Sequence, residues 1–296
     1  MRYAWINRQR DSYPVGLLCR VLKVSRSGYY AWRRRQPSVD RQRRQAIARA
    51  AWQSHRDSHG TYGYRRVHRD LIEDHEIACC RETVRRVMAE LGLSGKHKRR
   101  FIKTTDSNHD EPVARNLLQR DFTATRPDQK WLADITYIRL AEGWLYLAVI
   151  LDSFSRRVVG WSLSRHIDAD LVCAALAMAL RRRCVSSDLL HHSDRGVQYA
   201  SQALREMLER EGLTMSMSRK GDPWDNAMME SFFGSLKTEW IDTGYATEAQ
   251  ARMEVFKYIE VFYNRTRRHS ALGYLSPAEY ERRYETGQLT PVDEAA

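Results

Sequence analysis

The change of texture at Lys130 constrains this chain more than any other feature. From there the sequence reads as three strand-like segments, then helix, strand, helix and strand. WLADITYIRL (131–140) is rich in the branched and aromatic residues that suit a pleated, half-buried surface. Glu142–Gly143 supplies a turn, and WLYLAVILDSFSRRVVGWSLS (144–164) gives two more strands, broken at Asp152–Ser155. An apolar helix is expected over 168–183 and a short strand over DLLHHSD (188–194). A helix over 201–212 has Ser201 as N-cap and Gly212 as stop, and LTMSMS (213–218) is a further strand. The stretch RKGDPWDN (219–226) leads into a helix over 227–241, and one last long helix is expected over 248–268. This order specifies an α/β domain with a mixed sheet.

The part before it is helical and basic. In PVGLLCRVLKVSRSGYYAWRRR (14–35) two short helices meet at a tight joint, with Ser25 placed to cap the second, as in a helix-turn-helix. The charged stretch 33–44, with Pro37 inside it, reads as a linker. Three more helices are expected at about 41–55, 63–74 and 81–91, stopped by Gly92 and Gly95 and followed by the basic tail KHKRR (96–100). Thr83 or its predecessors start the third, recognition-type helix. The resulting division is a helix-turn-helix-like segment (1–36), a helical DNA-binding domain (37–104), a polar linker with Pro112 and Pro127 (105–129), the α/β core (130–285) and a tail (286–296).

Charge follows this division. Residues 1–104 hold 25 Lys/Arg against 9 Asp/Glu, whereas residues 105–296 hold 24 against 28, so a basic binding part precedes a slightly acidic working part. The partner such a surplus asks for is nucleic acid. Arg65, Arg66, Arg81, Arg85 and Arg86 are suited to phosphate or base contacts. A membrane partner drops away, because the longest apolar runs, 171–180 and 145–151, are far shorter than the roughly 18–20 residues of a span. The five cysteines form no C-x-x-C, and the N-terminus has no signal-type apolar stretch, which fits reduced thiols in a cytoplasmic protein. His55, His59, Cys79 and Cys80 make a poor zinc set, because adjacent cysteines are badly spaced to chelate one ion.

Three acids stand at informative places. Asp134 lies in the first strand on the face of Leu132, Thr136 and Ile138, where a carboxylate is costly unless it has a partner or a metal. Asp194 ends a buried-looking strand just before Gly196, and Glu230 lies in the first turns of a helix. Three hard oxygen donors suit Mg²⁺ or Mn²⁺, and two such ions suit phosphodiester chemistry. No glycine-rich nucleotide loop is present. Around the acids, Tyr199 and Trp224 either stack on unpaired bases or pack in the core. Lys220 and Gly221 lie in the loop before Glu230, with the lysine placed to follow a phosphate backbone. Asp225 or Asn226 caps the following helix. His191 and His192 precede Asp194, one packing inward and one near the site, and Asp152 reads first as a structural turn residue.

The stretches WLADITYI, HHSDRGVQYAS and SRKGDPWDNAMMESFFGSLKTE together resemble the catalytic core of the integrase and transposase superfamily. Thirty-five residues separate Asp194 from Glu230, the spacing of retroviral integrases and of the insertion-sequence-three family of transposases. The similarity to that family continues through FYNRTRRHSALGYLSPAEY (262–280) and reaches back to HGTYGYRRVHRDL (59–71), so it covers nearly the whole chain. It implies a ribonuclease H-like core, with Asp134, Asp194 and Glu230 as ligands of two Mg²⁺ or Mn²⁺ ions. It implies 3′-end cleavage at the terminal inverted repeats of a mobile element and strand transfer to target DNA. Lys237 matches a basic residue seven positions after the family's glutamate; two helical turns put it on the face of Glu230, placed to hold a terminal phosphate or base. Joining two ends implies a homodimer or larger assembly. In that family an upstream reading frame usually supplies a helix-turn-helix and a leucine zipper, and this chain, with no sustained heptad, resembles the downstream product. Two other readings are a ribonuclease H-like nuclease without strand transfer and a non-catalytic DNA-binding regulator. The charge division also leads to the expectation that removing residues 1–104 abolishes specific end binding and leaves metal-dependent nicking of generic DNA.

Overall fold

The computed structural model describes residues 1–36, 38–96, 113–219, 223–241 and 244–289, with the side chains of residues 223 and 224 left out. Lys220 and Gly221 therefore lie outside the described residues, as does the Trp224 side chain. No helix among the described residues is long and apolar enough to cross a membrane.

The chain starts with α1 (Arg2–Gln9), α2 (Val15–Val21) and α3 (Arg26–Arg34). Ser25 caps α3, its Oγ accepting from the Gly28 amide at 2.8 Å. Gly28 packs directly against the Tyr3 side chain. Ile6, Leu18, Cys19 and Tyr29 give these three helices a small core of their own.

The second helical unit is α4 (Val39–Asp57), α5 (Tyr64–Glu73) and α6 (Arg81–Glu90). The linker expected over 33–44 is mostly helix: α3 runs to Arg34 and α4 begins at Val39. Ser38 caps α4 by accepting from the Arg41 amide, Asp40 favours its positive N-terminal end, and arginine and glutamine are good helix formers. The helix expected over 41–55 is thus present and begins two residues earlier.

In the α/β core, β1 (Lys130–Arg139), β2 (Trp144–Asp152), β3 (Val158–Ser164), β4 (Leu190–Ser193) and β5 (Thr214–Met217) form one sheet in the order β3-β2-β1-β4-β5. β1–β2 and β2–β3 are antiparallel, while β1–β4 and β4–β5 are parallel, which is the expected mixed sheet. Side chains alternate across β1. Trp131 and Ala133 pack beneath α7 (Ala169–Arg182) and α9 (Gln202–Arg210), the latter preceded by the single turn α8 (Val197–Ala200). Leu132 and Ile138 face α10 (Ala227–Glu239) and α11 (Glu248–Phe256). Helices thus cover both faces of the sheet. The approach of β3 to α7 is close enough that a Cβ at Gly160 would lie 2.3 Å from the Ala175 carbonyl oxygen.

Two further expectations change. Residues 113–129 lie against the core: the Leu117 amide donates to Ser216 Oγ of β5 at 2.9 Å, and Leu118 is buried. The long helix expected over 248–268 is α11 followed by a widened π turn, Lys257–Tyr263, and a separate α12 (Pro277–Glu285) lies beyond it. After the π turn Asn264 reaches β3, its side chain bonding both the amide and the carbonyl of Val158 at 2.9 Å. The sequence did announce α12: Ser276 is its N-cap, Pro277 its first residue and Glu279 stands at the third position.

The second helical unit and the core share one apolar interior, in which Ile47, Tyr62, Val67 and Leu71 belong to the same cluster as Phe232, Leu236, Tyr258 and Phe262. Adjacent arginines bind the two parts. Arg267 makes a two-pronged pair with Glu239 at the end of α10, and Arg268 pairs with Asp70, Glu73 and Asp74 around the end of α5. Tyr62 completes the joint, donating to the Thr266 carbonyl at 3.1 Å and accepting from the Arg268 amide at 2.7 Å.

Candidate active site

Parallel pairing of β1 with β4 sets Ala133 opposite Ser193, so Asp134 and Asp194 follow at the same level of adjacent strands, which run about 4.8 Å apart. Asp134 is half-buried and both its oxygens are held: Oδ1 accepts from the Ile135 amide at 2.7 Å and Oδ2 from Asn226 Nδ2 at 2.8 Å. Asp194, just past the end of β4, accepts from the Gly196 amide at 3.0 Å. Glu230 stands exposed in the first turns of α10. Among the described residues no group of three His, Cys, Asp or Glu side chains is arranged to hold one ion.

Other groups face this place. The Tyr199 phenol is buried, and burial together with the charges of Asp134 and Asp194 holds its pKa well above the ordinary value, so it stays protonated. Its oxygen has no hydrogen-bond partner among the described residues, and neither does the buried Oδ1 of Asn226. Lys237 lies over the Tyr137 ring, 4.3 Å from its centroid; burial lowers its pKa while the nearby Asp134 raises it. Two carboxylates on neighbouring strands, with two unsatisfied buried oxygens beside them, are the donor chemistry of a hard divalent cation.

The expected cap of α10 takes another form. Asn226 is the N-cap residue but makes no side-chain capping bond; its Nδ2 donates to Asp134. Asp225, fully buried, accepts from the Arg219 amide at 2.9 Å and from Asn116 Nδ2 at 2.8 Å, fastening the turn before α10 to the segment alongside β5. His191 and His192 are both buried, and His192 Nδ1 pairs with Ser216 Oγ at 2.9 Å. Asp152 is a turn residue: its carboxylate accepts from the Asp128 amide and from the amide and hydroxyl of Ser155, and Ser155 connects it to Glu281 of α12. His55 bonds the Ser94 carbonyl, and His59 packs edge-on against Trp240.

Of the arginines singled out in the helical unit, Arg65, Arg81, Arg85 and Arg86 are exposed, the last two pairing with Glu82 within α6. Arg66 differs: it is turned into the chain, 3.5 Å from Glu239 and over the ring of Tyr62. Its place in α5, beside buried Val67, makes it part of the joint with the core. A groove of about 590 Å³ between α4 and α6 is lined by Arg41, Arg43, Arg44 and Arg86, with Cys79 and Cys80 at its wall. The first three lie in the first turns of the helix expected over 41–55 and were not singled out there. The signal for them was present, since three arginines in four residues after a Ser-x-Asp start mark a basic helix end.

Comparison with known proteins agrees with this geometry. Residues 124–223 and 211–277 match two models of an integrase core domain, and residues 41–101 match an HTH-like domain. The chain is 42% identical over 284 residues to transposase InsF of insertion sequence IS3A from Escherichia coli (strain K12), covering 95% of this chain and 98% of InsF. It is 43% identical over 268 residues to an uncharacterized 31 kDa protein of insertion element IS600 from Shigella sonnei, covering 90% of this chain and 98% of that protein. Among solved structures, the intasome of simian T-cell lymphotropic virus in complex with a PP2A regulatory subunit overlays with a TM-score of 0.47 at 15% identity, over 82% of this chain and 77% of that one. Sheet order, helical layers and sequence likeness agree: the chain belongs to the IS3-type insertion-sequence transposases, with a ribonuclease H-like integrase core behind a helix-turn-helix-like domain.

Proposed function

We propose that Asp134, Asp194 and Glu230 form a single metal-holding centre with which this transposase cuts the 3′ ends of its element and joins them to target DNA. The observation that carries this reading is the pairing of β1 with β4, which sets two carboxylates side by side, together with the Asn226–Asp134 bond that ties the start of the Glu230 helix to them. Asp134, Asp194 and Glu230 would together hold two Mg²⁺ or Mn²⁺ ions. The ions, when bound, activate a water or a 3′-hydroxyl and stabilise the leaving oxygen. Lys237, on the side of α10 that faces Asp134, holds a phosphate of the terminal nucleotide. The Tyr199 phenol, protonated at neutral pH, donates a hydrogen bond into the centre. Arg65, Arg81, Arg85 and Arg86 hold phosphates of the element ends, and the α4 arginines extend that surface. Because two ends are joined, the working unit is a dimer or larger, with or without an upstream partner chain.

The test is strand transfer on labelled DNA carrying the element ends in Mg²⁺, with wild type and Glu230→Gln. Joined products are expected from the wild type, with loss of about a thousandfold or more in the variant. Cleavage without joining by the wild type favours a nuclease, and equal activity of both proteins removes Glu230 from the centre.

A further inference from the structure

Asn226 departs from what its position calls for. An asparagine at an N-cap ordinarily accepts from an amide of the first helical turn. Here that bond is not made. The side chain is 7% exposed and gives its Nδ2 to Asp134 Oδ2 at 2.8 Å. A buried amide oxygen ordinarily meets a donor or a cation, and Oδ1 has no partner among the described residues. Asn226 also precedes Glu230 by four residues, so the two lie on the same side of α10.

We infer that Asn226 is a positioning residue of the active site, locking the Glu230 helix to Asp134 and offering its amide oxygen to a divalent cation or to a water bound on it. One contact thereby fixes a ligand carboxylate and aims the helix that carries the third acid. The inference rests on the metal-holding reading of Asp134.

The test is binding of Mn²⁺ alone to the full chain, followed by the paramagnetic signal of the free ion, beside urea unfolding without metal. Asn226→Ser supplies a hydroxyl able to cap α10 but too short to reach Asp134. Its urea midpoint is expected to match wild type while its Mn²⁺ affinity falls about 10- to 100-fold, the usual effect of removing a group that orients a ligand. In Asn226→Asp the donor becomes a second carboxylate facing Asp134. This variant is expected to unfold more easily without metal and to gain more from Mn²⁺ than wild type does, a response that a purely structural asparagine would not give. Wild-type affinity in Asn226→Ser and an ordinary metal response in Asn226→Asp overturn the role of Asn226, provided Asp134→Asn still abolishes binding. Wild-type affinity in Asp134→Asn overturns the metal reading itself, and the inference with it.

Discussion

His191 and His192 sit in β4 just before Asp194, and burial pulls both imidazoles down to about 4. For His191 the neighbouring His192 adds to the effect, whereas for His192 the charge of Asp225 opposes it. Both rings are neutral at physiological pH, so neither donates a proton to a leaving oxygen. Their effect is on stability. The unfolded chain takes up these protons near pH 6.5 and the folded chain near 4, so the contribution is full above about 6.5 and is lost as pH falls toward 4. Each histidine accounts for up to about 3 kcal/mol. Asp152 works in the opposite sense: burial raises its carboxyl to about 6, so the folded chain binds that proton first and gains on acidification between about 6 and 4. Two histidines outweigh one aspartate. The urea midpoint is expected to fall from pH 7 to pH 5, and to fall less in His191→Leu. A midpoint that rises over that range would mean the histidines are solvated.

At the scale of elements, what could be read from sequence depended on whether the pattern was local. β1 to β5, α7, α9 and α10 were legible because alternation, caps and stops lie within each segment. The acids were legible because strand ends and helix starts are fixed by those same signals. α4 was legible from about residue 41, and the Ser38 cap sets its start two residues earlier. The end of the expected 248–268 helix was misread. The π turn at Lys257–Tyr263 widens the backbone so that Asn264 meets β3, and that demand comes from a strand about a hundred residues away. Asn226 was seen as a cap and not as a partner of Asp134 for the same cause: the competing bond comes from a strand that only the fold brings near. Arg66, exposed by any local count, is occupied because Glu239 arrives from α10.

For the whole molecule, the joint between the second helical unit and the core changes what a truncation does. Removal of residues 1–104 was expected to separate binding from chemistry. The structure places Tyr62, Val67 and Leu71 in the same apolar cluster as Tyr258 and Phe262, and it gives the Arg268 guanidinium its three acids from residues 70–74. Cutting at 104 removes all three acids that Arg268 pairs with and opens the shared apolar core to water. Cutting at 37 leaves that interior whole, because Ile6, Leu18, Cys19 and Tyr29 form a separate cluster. The chain beginning at residue 38 is expected to unfold in urea at nearly the full-length midpoint, and the chain beginning at 105 far below it. Equal midpoints would show the joint to be without energetic weight. An intact joint also fixes the second helical unit in distance from the end of α10.

Whether the three acids act as one unit is the central question, and single-turnover strand transfer of pre-cleaved ends in Mg²⁺ answers it most directly. The enzymes to compare are wild type, Asp134→Asn, Asp194→Asn, Glu230→Gln and the Asp134→Asn/Glu230→Gln double variant. If one metal centre does the chemistry, each single substitution loses about a thousandfold or more and the double variant loses little beyond either single. A single variant that joins ends at the wild-type rate, or losses that multiply in the double variant, would contradict a shared centre.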